Sequence, residues 1–362
     1  MQSTTATMEK NATRVRPTSL DDARLRSFEQ AIDAIRKRVE AEVGEADVAH
    51  VKKMRSLSNA FEVVGRTLIH VSLDPVTFTA GVTALWLHKQ LEATEIGHPV
   101  LHGTYDGLDG ADGFQSKTFS WNIPIDEETW RYVHNVRHHG ATNVAGRDPD
   151  IHFGPIRLNA QTPWSPEHLF QLPLSVLAAL NFTAAINIEY TGITELLIGN
   201  GREGTFDFVK DRSLATWKDA GTRLMRKWAP YYGKNYLFYP ALAGFGFPKV
   251  LLGNYLAETM RDVYSAATIF CGHVGAETSD FDEGTRSYGR GEWYAMQIAA
   301  TNDFDVPLPI SILCGALDKQ IEHHLFPKMP PNRLWEIAPE VKAVCEAHGV
   351  PYRSASWGKT LG

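Results

Sequence analysis

The chain carries 14 histidines, and eight of them fall in four short segments. His98 and His102 stand in GHPVLHG, and His134, His138 and His139 in HNVRHHG. His273 stands in FCGHVGAE, and His323 and His324 in QIEHHLFP, just after Gln320. Residues four apart lie on one face of a helix, about one turn from each other. Two imidazoles so placed can bind one metal ion or flank two. In HNVRHH, His134 and His138 share a face, and His139 is turned by about 100° from His138, toward a neighbouring ion. Gln320 lies one turn before the last pair, where its amide oxygen can ligate weakly or hold a water.

A lone HxxxH is a weak signal, since most such pairs are surface or packing residues. Four ordered segments in one chain are far more specific. Imidazole suits zinc, copper, iron and nickel. Eight histidines exceed the four ligands of a single zinc site and suit two ions. A histidine-rich set without cysteine favours iron, with copper the runner-up. The carboxylate-bridged di-iron bundle needs Glu-x-x-His pairs on facing helices. Glu95 with His98 has that spacing, but no second such pair exists.

The elements that must position these side chains come from an ordered protein. The 362 residues are 43% hydrophobic and 22% charged. That excludes a disordered or fibrous chain. A net charge of −6 gives no basic field for nucleic acid. Cys271, Cys314 and Cys345 form neither a disulfide framework nor a zinc spacing, which suggests a reducing compartment. The mean hydropathy of −0.24 alone reads as soluble. The apolar residues, however, gather in runs at 68–87, 169–188 and 236–257, with a shorter run from Val263. A span needs roughly 20 such residues. Pro240 and Pro248 should kink the third run.

Lys52, Lys53, Arg55 and Arg66 flank the first run; Arg223, Arg226 and Lys227 precede the third. The positive-inside tendency places these flanks in the cytoplasm. The polar blocks 103–167 and 277–362 would then form a cytoplasmic cap. Residues 1–60 read as a polar N-terminal region without a secretory signal, and 61–362 as the main domain. Ser19 could cap an amphipathic helix reaching about Gly44, with Leu25, Phe28, Ile32, Ile35 and Val39 on one face. Packing on the protein body is the plain reading of that face; lying on a membrane surface is the sharper one.

At this point the chain resembles the membrane fatty-acid desaturases, the di-iron histidine-box superfamily. The likeness lies closest to bacterial acyl and linoleoyl-CoA-type desaturases with glutamine opening the last box. It covers roughly residues 60 to 355, through GHPVLHGTYDG, HNVRHHGATNVAGRDPDIHFG, the stretch 261–273, RGEWYAMQIAATNDF and QIEHHLFPKMPPNRLWEIAPEV. The resemblance implies oxygen-dependent desaturation of a fatty acyl chain. It implies two irons held by His98, His102, His134, His138, His139, His273, His323 and His324, with Gln320 as a possible ninth ligand. The implied fold is mostly α. A membrane-embedded helical body, with two to four spans or re-entrant hairpins, lies under a helical cytoplasmic cap holding the metal site. The chain departs from these relatives at Pro99, Gly107, Asp318 and Lys319, and at Ile269, where another branch carries an asparagine ligand. Pro99 should kink the helix at the first ligand. Hydroxylation, ketolation or decarboxylation of an aliphatic chain is the alternative outcome at the same iron site. A metal transporter would instead carry ionisable residues at mid-membrane depth; here the box histidines lie at the ends of apolar runs or in polar blocks.

Neutral imidazoles leave metal charge uncompensated, so nearby carboxylates should orient ligands. Glu95, Asp106, Glu277 and Glu322 lie within four residues of a ligand and are the candidates. Asp148, Asp150 and His152 read as a polar turn closed by Pro149. His50, His70, His88, His168 and His348 read as ordinary surface or core histidines. Trp121, Trp130, Trp164 and Trp293 read as packing or interfacial residues. No haem signature, dinucleotide fingerprint or four-cysteine cluster occurs. Electrons would come from a separate donor, a ferredoxin with its reductase or a flavin oxidoreductase. Arg131, Arg137, Arg147 and Arg157 could dock that donor or an acyl head group. The remaining partners are dioxygen, the membrane, and a fatty acyl ester of CoA, carrier protein or lipid.

Overall fold

The computed structural model describes residues 20–198, 209–275 and 277–361. Ser19 lies outside them, and the Asp21 carboxylate caps the first helix by accepting the N–H groups of Ala23 and Arg24. This helix, α1 (Asp22–Glu42), buries Phe28, Ile32, Ile35 and Val39. They meet Ile337 and Val341 of a later helix in one apolar cluster, so α1 packs on the body of the protein.

Helices α2 (Glu45–Val71) and α3 (Pro75–Leu91) form a hairpin. Helix α2 runs unbroken through residue 60, tying the N-terminal region to the body. The turn is local chemistry: Asp74 accepts the Thr77 N–H, and Pro75 opens α3 where its missing N–H costs nothing. The two helices touch through glycine. A Cβ on Gly65 would lie 2.5 Å from the Leu85 nitrogen, and one on Gly81 2.8 Å from that of Ile69. Small residues of this kind let helix backbones approach closely.

A six-residue π turn, Glu92–Gly97, carries α3 into α4 (His98–His102). Helix α5 (Glu127–Tyr132) passes through a second π turn, Val133–His138. A short antiparallel pair follows, β1 (His152–Phe153) and β2 (Ile156–Arg157). Then come α6 (Gln171–Leu180), α7 (Phe182–Tyr190) and α8 (Ile193–Leu197). Helix α9 (Leu214–Tyr232), a third π turn at Gly233–Phe238 and α10 (Tyr239–Leu242) lead over a tight turn into α11 (Phe247–His273). The chain ends with α12 (Arg290–Ala300), β3 (Asp303–Asp305), α13 (Leu308–Cys314), α14 (Gln320–Leu325), α15 (Pro331–His348), β4 (Ser354–Ser356) and α16 (Trp357–Leu361). Strands β3 and β4 pair in parallel. The fold is mostly helical, with its histidine segments converging on one buried cluster.

The three apolar runs do not become straight spans. Among the described residues no single helix is long and apolar enough to cross a membrane. The first run is cut at 72–74 and the third at 243–246, each by a turn between helix arms. The second bends by 105° between Leu180 and Phe182, and this segment with the turn before it is the one bent pair that meets the length and composition of a span. In the first and third runs Pro, Gly and a capping Asp break the helices although the hydropathy is continuous.

Helix α11 is polar inside and apolar outside. Asn254, Glu258, Arg261 and Asp262 are buried, whereas Leu252, Tyr255, Leu256, Met260 and Val263 are exposed. The hairpin tips carry Leu73, Val76, Leu242 and Phe245, all exposed.

Candidate metal centre

The first histidine pair owes its position to the π turn before it. Pro99 would clash with the carbonyl one turn back in a straight α-helix. The π turn supplies the extra residue that relieves this, so the helix widens before the first ligand and runs on past Pro99. The turn is held by Trp121, whose Nε1 donates to the Glu92 carbonyl at 2.8 Å. Gly97 is required beneath that indole, since a Cβ there would lie 1.7 Å from Nε1. The second π turn acts likewise. The His139 N–H reaches back five residues to the His134 carbonyl at 3.1 Å. This extra residue per turn brings His134, His138 and His139 to one place, their ligand atoms within 4.8 Å of one another.

The eight histidines form two lobes. His98, His102, His134 and His323 make one, and His138, His273 and His324 the other, with ligand atoms within 4.8 Å inside each lobe. His139 stands between them. Its ring centroid lies 4.8 Å from that of His102 and 4.2 Å from that of His324, on which it stacks. Seven of the eight are buried, and His98 is half-buried. Trp130 stacks on His134 at 4.3 Å and closes the first lobe.

Several rings are oriented by fixed partners. Asp148 accepts from His138 Nδ1 at 3.0 Å through Oδ1, and it is held in turn by the backbone N–H groups of Asn143 and Asp150. Gln297 Oε1 accepts from His324 Nδ1 at 2.9 Å and from the Thr142 hydroxyl at 2.9 Å. Asn143, at φ 55°, ties the loop to the carbonyls of His273 and Ala300. The Gln320 Nε2 lies 2.7 Å from His273 Nε2.

On the other side of the rings, buried polar atoms are left without partners. These are Nε2 of His102, His138, His323 and His324, Nδ1 of His134, His139 and His273, and Oε1 of Gln320. Buried nitrogens left unpaired are costly, and metal ions among them would satisfy them together. Burial holds His102, His134, His139, His323 and His324 well below the usual imidazole range, reinforced by their neighbours' charge. They are neutral near pH 7, the form that ligates. Burial also works against charge on His138, but Asp148 and Asp150 outweigh it and raise the ring to about 9. The donor set fits bound metal, which would displace the second proton of His138 from Nε2 on binding.

The four carboxylates expected to orient ligands sit elsewhere. Glu95 binds His50 of α2 at 2.6 Å. Asp106 accepts from the Ser116 N–H and hydroxyl, both at 2.6 Å, and closes a loop. Glu277 is exposed. Glu322 accepts from the Tyr352 hydroxyl at 3.0 Å, and burial beside Asp303 raises its carboxyl well above the usual range. The polar side chains that contact the box rings are instead Asp148 and Asp150, read from the sequence as a turn, and Gln297 and Thr142. Asp148 and Asp150 were within view in GRDPDIHFG; Gln297 left no signal of its own. His50 also has a definite task, as the partner of Glu95.

Comparison with known proteins agrees with this geometry. The family model described as fatty acid desaturase matches residues 75–356. The chain belongs to the fatty acid desaturase family. An NADPH-dependent stearoyl-CoA 9-desaturase of Mycobacterium tuberculosis is 31% identical over 351 residues, covering 94% of this chain and 79% of the relative. An sn-1 linoleoyl-lipid 6-desaturase of Synechocystis is 25% identical, covering 71% of this chain and 70% of the relative. The human protein fatty acid desaturase 3 is 25% identical, covering 62% of this chain and 45% of the relative.

The desaturase has an apolar cavity ending at its metal site. The cavity is narrow, about 90 Å³, and His138 and His273 stand in its wall. Leu158, Ala178, Phe182 and Ala266 are among its apolar lining. Ile269, where another branch of the family carries a ligand, also lines it. Fatty acid desaturation is thus matched by a histidine-rich site beside a mostly apolar cavity.

Proposed function

We propose that His98, His102, His134, His138, His139, His273, His323 and His324 hold two iron ions, with Gln320 as a further ligand beside His273. The observation that carries this reading is the gathering of eight histidines into two adjoining groups, seven of them with a buried, unpartnered ring nitrogen. The reaction is –CH2–CH2– + O2 + 2e⁻ + 2H⁺ → –CH=CH– + 2H2O. Bound iron supplies the oxygen chemistry that an unactivated C–H bond demands, which no side chain can provide.

The protein's own contribution is position. Asp148 keeps the proton of His138 on Nδ1 and leaves Nε2 free to ligate, and Gln297 does the same for His324. The slot lined by Phe182, Ala266 and Ile269 excludes water and lays the acyl chain past His138 and His273.

The substrate is a CoA ester, with electrons drawn from NADPH through a separate donor; the name of the mycobacterial relative supports both. The apolar tips and the apolar outer face of α11 enter the bilayer. Helices α2 and α11 enter the bilayer as arms of two hairpins, since neither is apolar enough to cross it alone. Two helical hairpins and the bent α6–α7 pair are therefore the membrane elements, and the metal site faces the cytoplasm.

The test is a fatty-acid profile by gas chromatography–mass spectrometry, with double-bond location. The host expresses this chain or its His324→Ala variant beside a competent redox donor. A new olefin from the intact chain alone is the expected result. A hydroxy acid, or an alkene one carbon shorter, would overturn desaturation.

A further inference from the structure

A buried polar knot lies behind one wall of the acyl cavity. Asp262, Ala266, Ile269 and His273 follow one another at four-, three- and four-residue steps, one stripe along α11. Eleven residues of helix span about 16 Å. The last three of the four line the cavity, and Asp262 lies one turn beyond it, at the end away from the histidines.

There Asp262 takes hold of another helix. Its Oδ1 accepts the Thr183 N–H at 3.1 Å and the Thr183 hydroxyl at 2.9 Å. This caps the first turn of α7 from outside its own chain segment, at the point where α6 and α7 bend by 105°. Arg261, wholly buried, donates to the same hydroxyl at 2.7 Å and pairs with both Asp262 and Glu258. Glu258 binds Lys89 of α3 at 2.6 Å and the hydroxyl of Tyr231 of α9. Three helices, α3, α9 and α11, are thereby tied to residue 183 of α7. Its neighbour Phe182 is buried and lines the cavity. Ions so deep in an apolar body are expensive unless paired, and here each has partners.

We propose that Asp262 is a positioning residue for regiospecificity. Through Thr183 it fixes Phe182 as the end stop of the acyl cavity, and so decides which carbons of the chain lie beside His138 and His273. The inference rests on the desaturase reading and adds the residue that measures the chain. An aromatic stop set by a rigid knot holds one register; a loosened stop lets the chain slide, since small misplacement changes which bond reacts.

The test uses the full chain in membranes with its donor system and myristoyl-, palmitoyl- and stearoyl-CoA as probes. Double-bond positions and chain-length preference are read for the parent and for Phe182→Ala, Asp262→Ala and Asp262→Asn, with iron measured in each. Phe182→Ala and Asp262→Ala are expected to give a second double-bond position, or to change the preference among the three esters by threefold or more. Asp262→Asn keeps an oxygen for the Thr183 N–H and is expected to keep the parent isomer. Should Asp262→Ala lose its iron, Phe182→Ala, which removes none of the knot's hydrogen-bonding side chains, decides whether residue 182 is the stop. The parent's isomer and preference, unchanged in Phe182→Ala with iron retained, would overturn the proposal. A parent chain that makes no olefin would instead sink the desaturase reading itself.

Discussion

The carboxylate of Asp148 faces Nδ1 of His138 with both oxygens, Oδ1 at 3.0 Å and Oδ2 at 3.1 Å. Both side chains are fully buried. A partner of this kind fixes which ring nitrogen carries the proton and raises the basicity of the other. Asp148→Ala is expected to lower metal affinity or turnover by roughly 10- to 100-fold. Asp148→Asn keeps an acceptor and should lose less. Metal analysis of the purified variants, beside their turnover, checks both.

Gln297 plays the corresponding part for His324, and Thr142 braces it. Gln297→Leu should therefore lower turnover by about tenfold or more, the low end for loss of such a partner. Thr142→Val should cost less, because Gln297 still reaches the ring. Turnover in the same membranes ranks the two.

Gly97→Ala places a methyl inside the Trp121 indole. Overpacking of this kind costs about 1–3 kcal/mol and shifts backbone, here at the turn that aims His98 and His102. Lower thermal stability and loss of iron are expected together. Adding Trp121→Phe, which removes the clashing Nε1, should recover part of both in a double-mutant comparison.

The proposed entry of the hairpin tips into the bilayer makes a separate prediction. Leu73 and Phe245 stand at the tips of two hairpins. A charge at bilayer depth costs roughly 2.5–3.5 kcal/mol on insertion scales. Leu73→Lys with Phe245→Lys should move chain from the membrane pellet to the supernatant after an alkaline wash. Equal retention would count against insertion at these tips.

The histidine segments were legible because metal ligation needs particular side chains at helical spacing. Their convergence was legible only through resemblance. Asp148 was rightly read as part of a turn, since it caps Pro149–Ile151, but its contact with His138 depends on the π turn that swings His138 toward it. Gln297 could not be found, because it lies 27 residues from His324 and only tertiary packing joins them. The helix breaks within the apolar runs had local signals, Asp74–Pro75 and the glycines at 244 and 246, that hydropathy averaging conceals. Pro99 follows directly on a π turn, a backbone feature that no single residue announces.

The most direct test of the account is the iron stoichiometry of the purified chain beside His98→Ala and His273→Ala. Each substitution removes one nitrogen from a different lobe. Two irons per chain in the parent, and a loss from one lobe in each variant with the other retained, is the predicted result. A parent with one iron, or with zinc in its place, would contradict it.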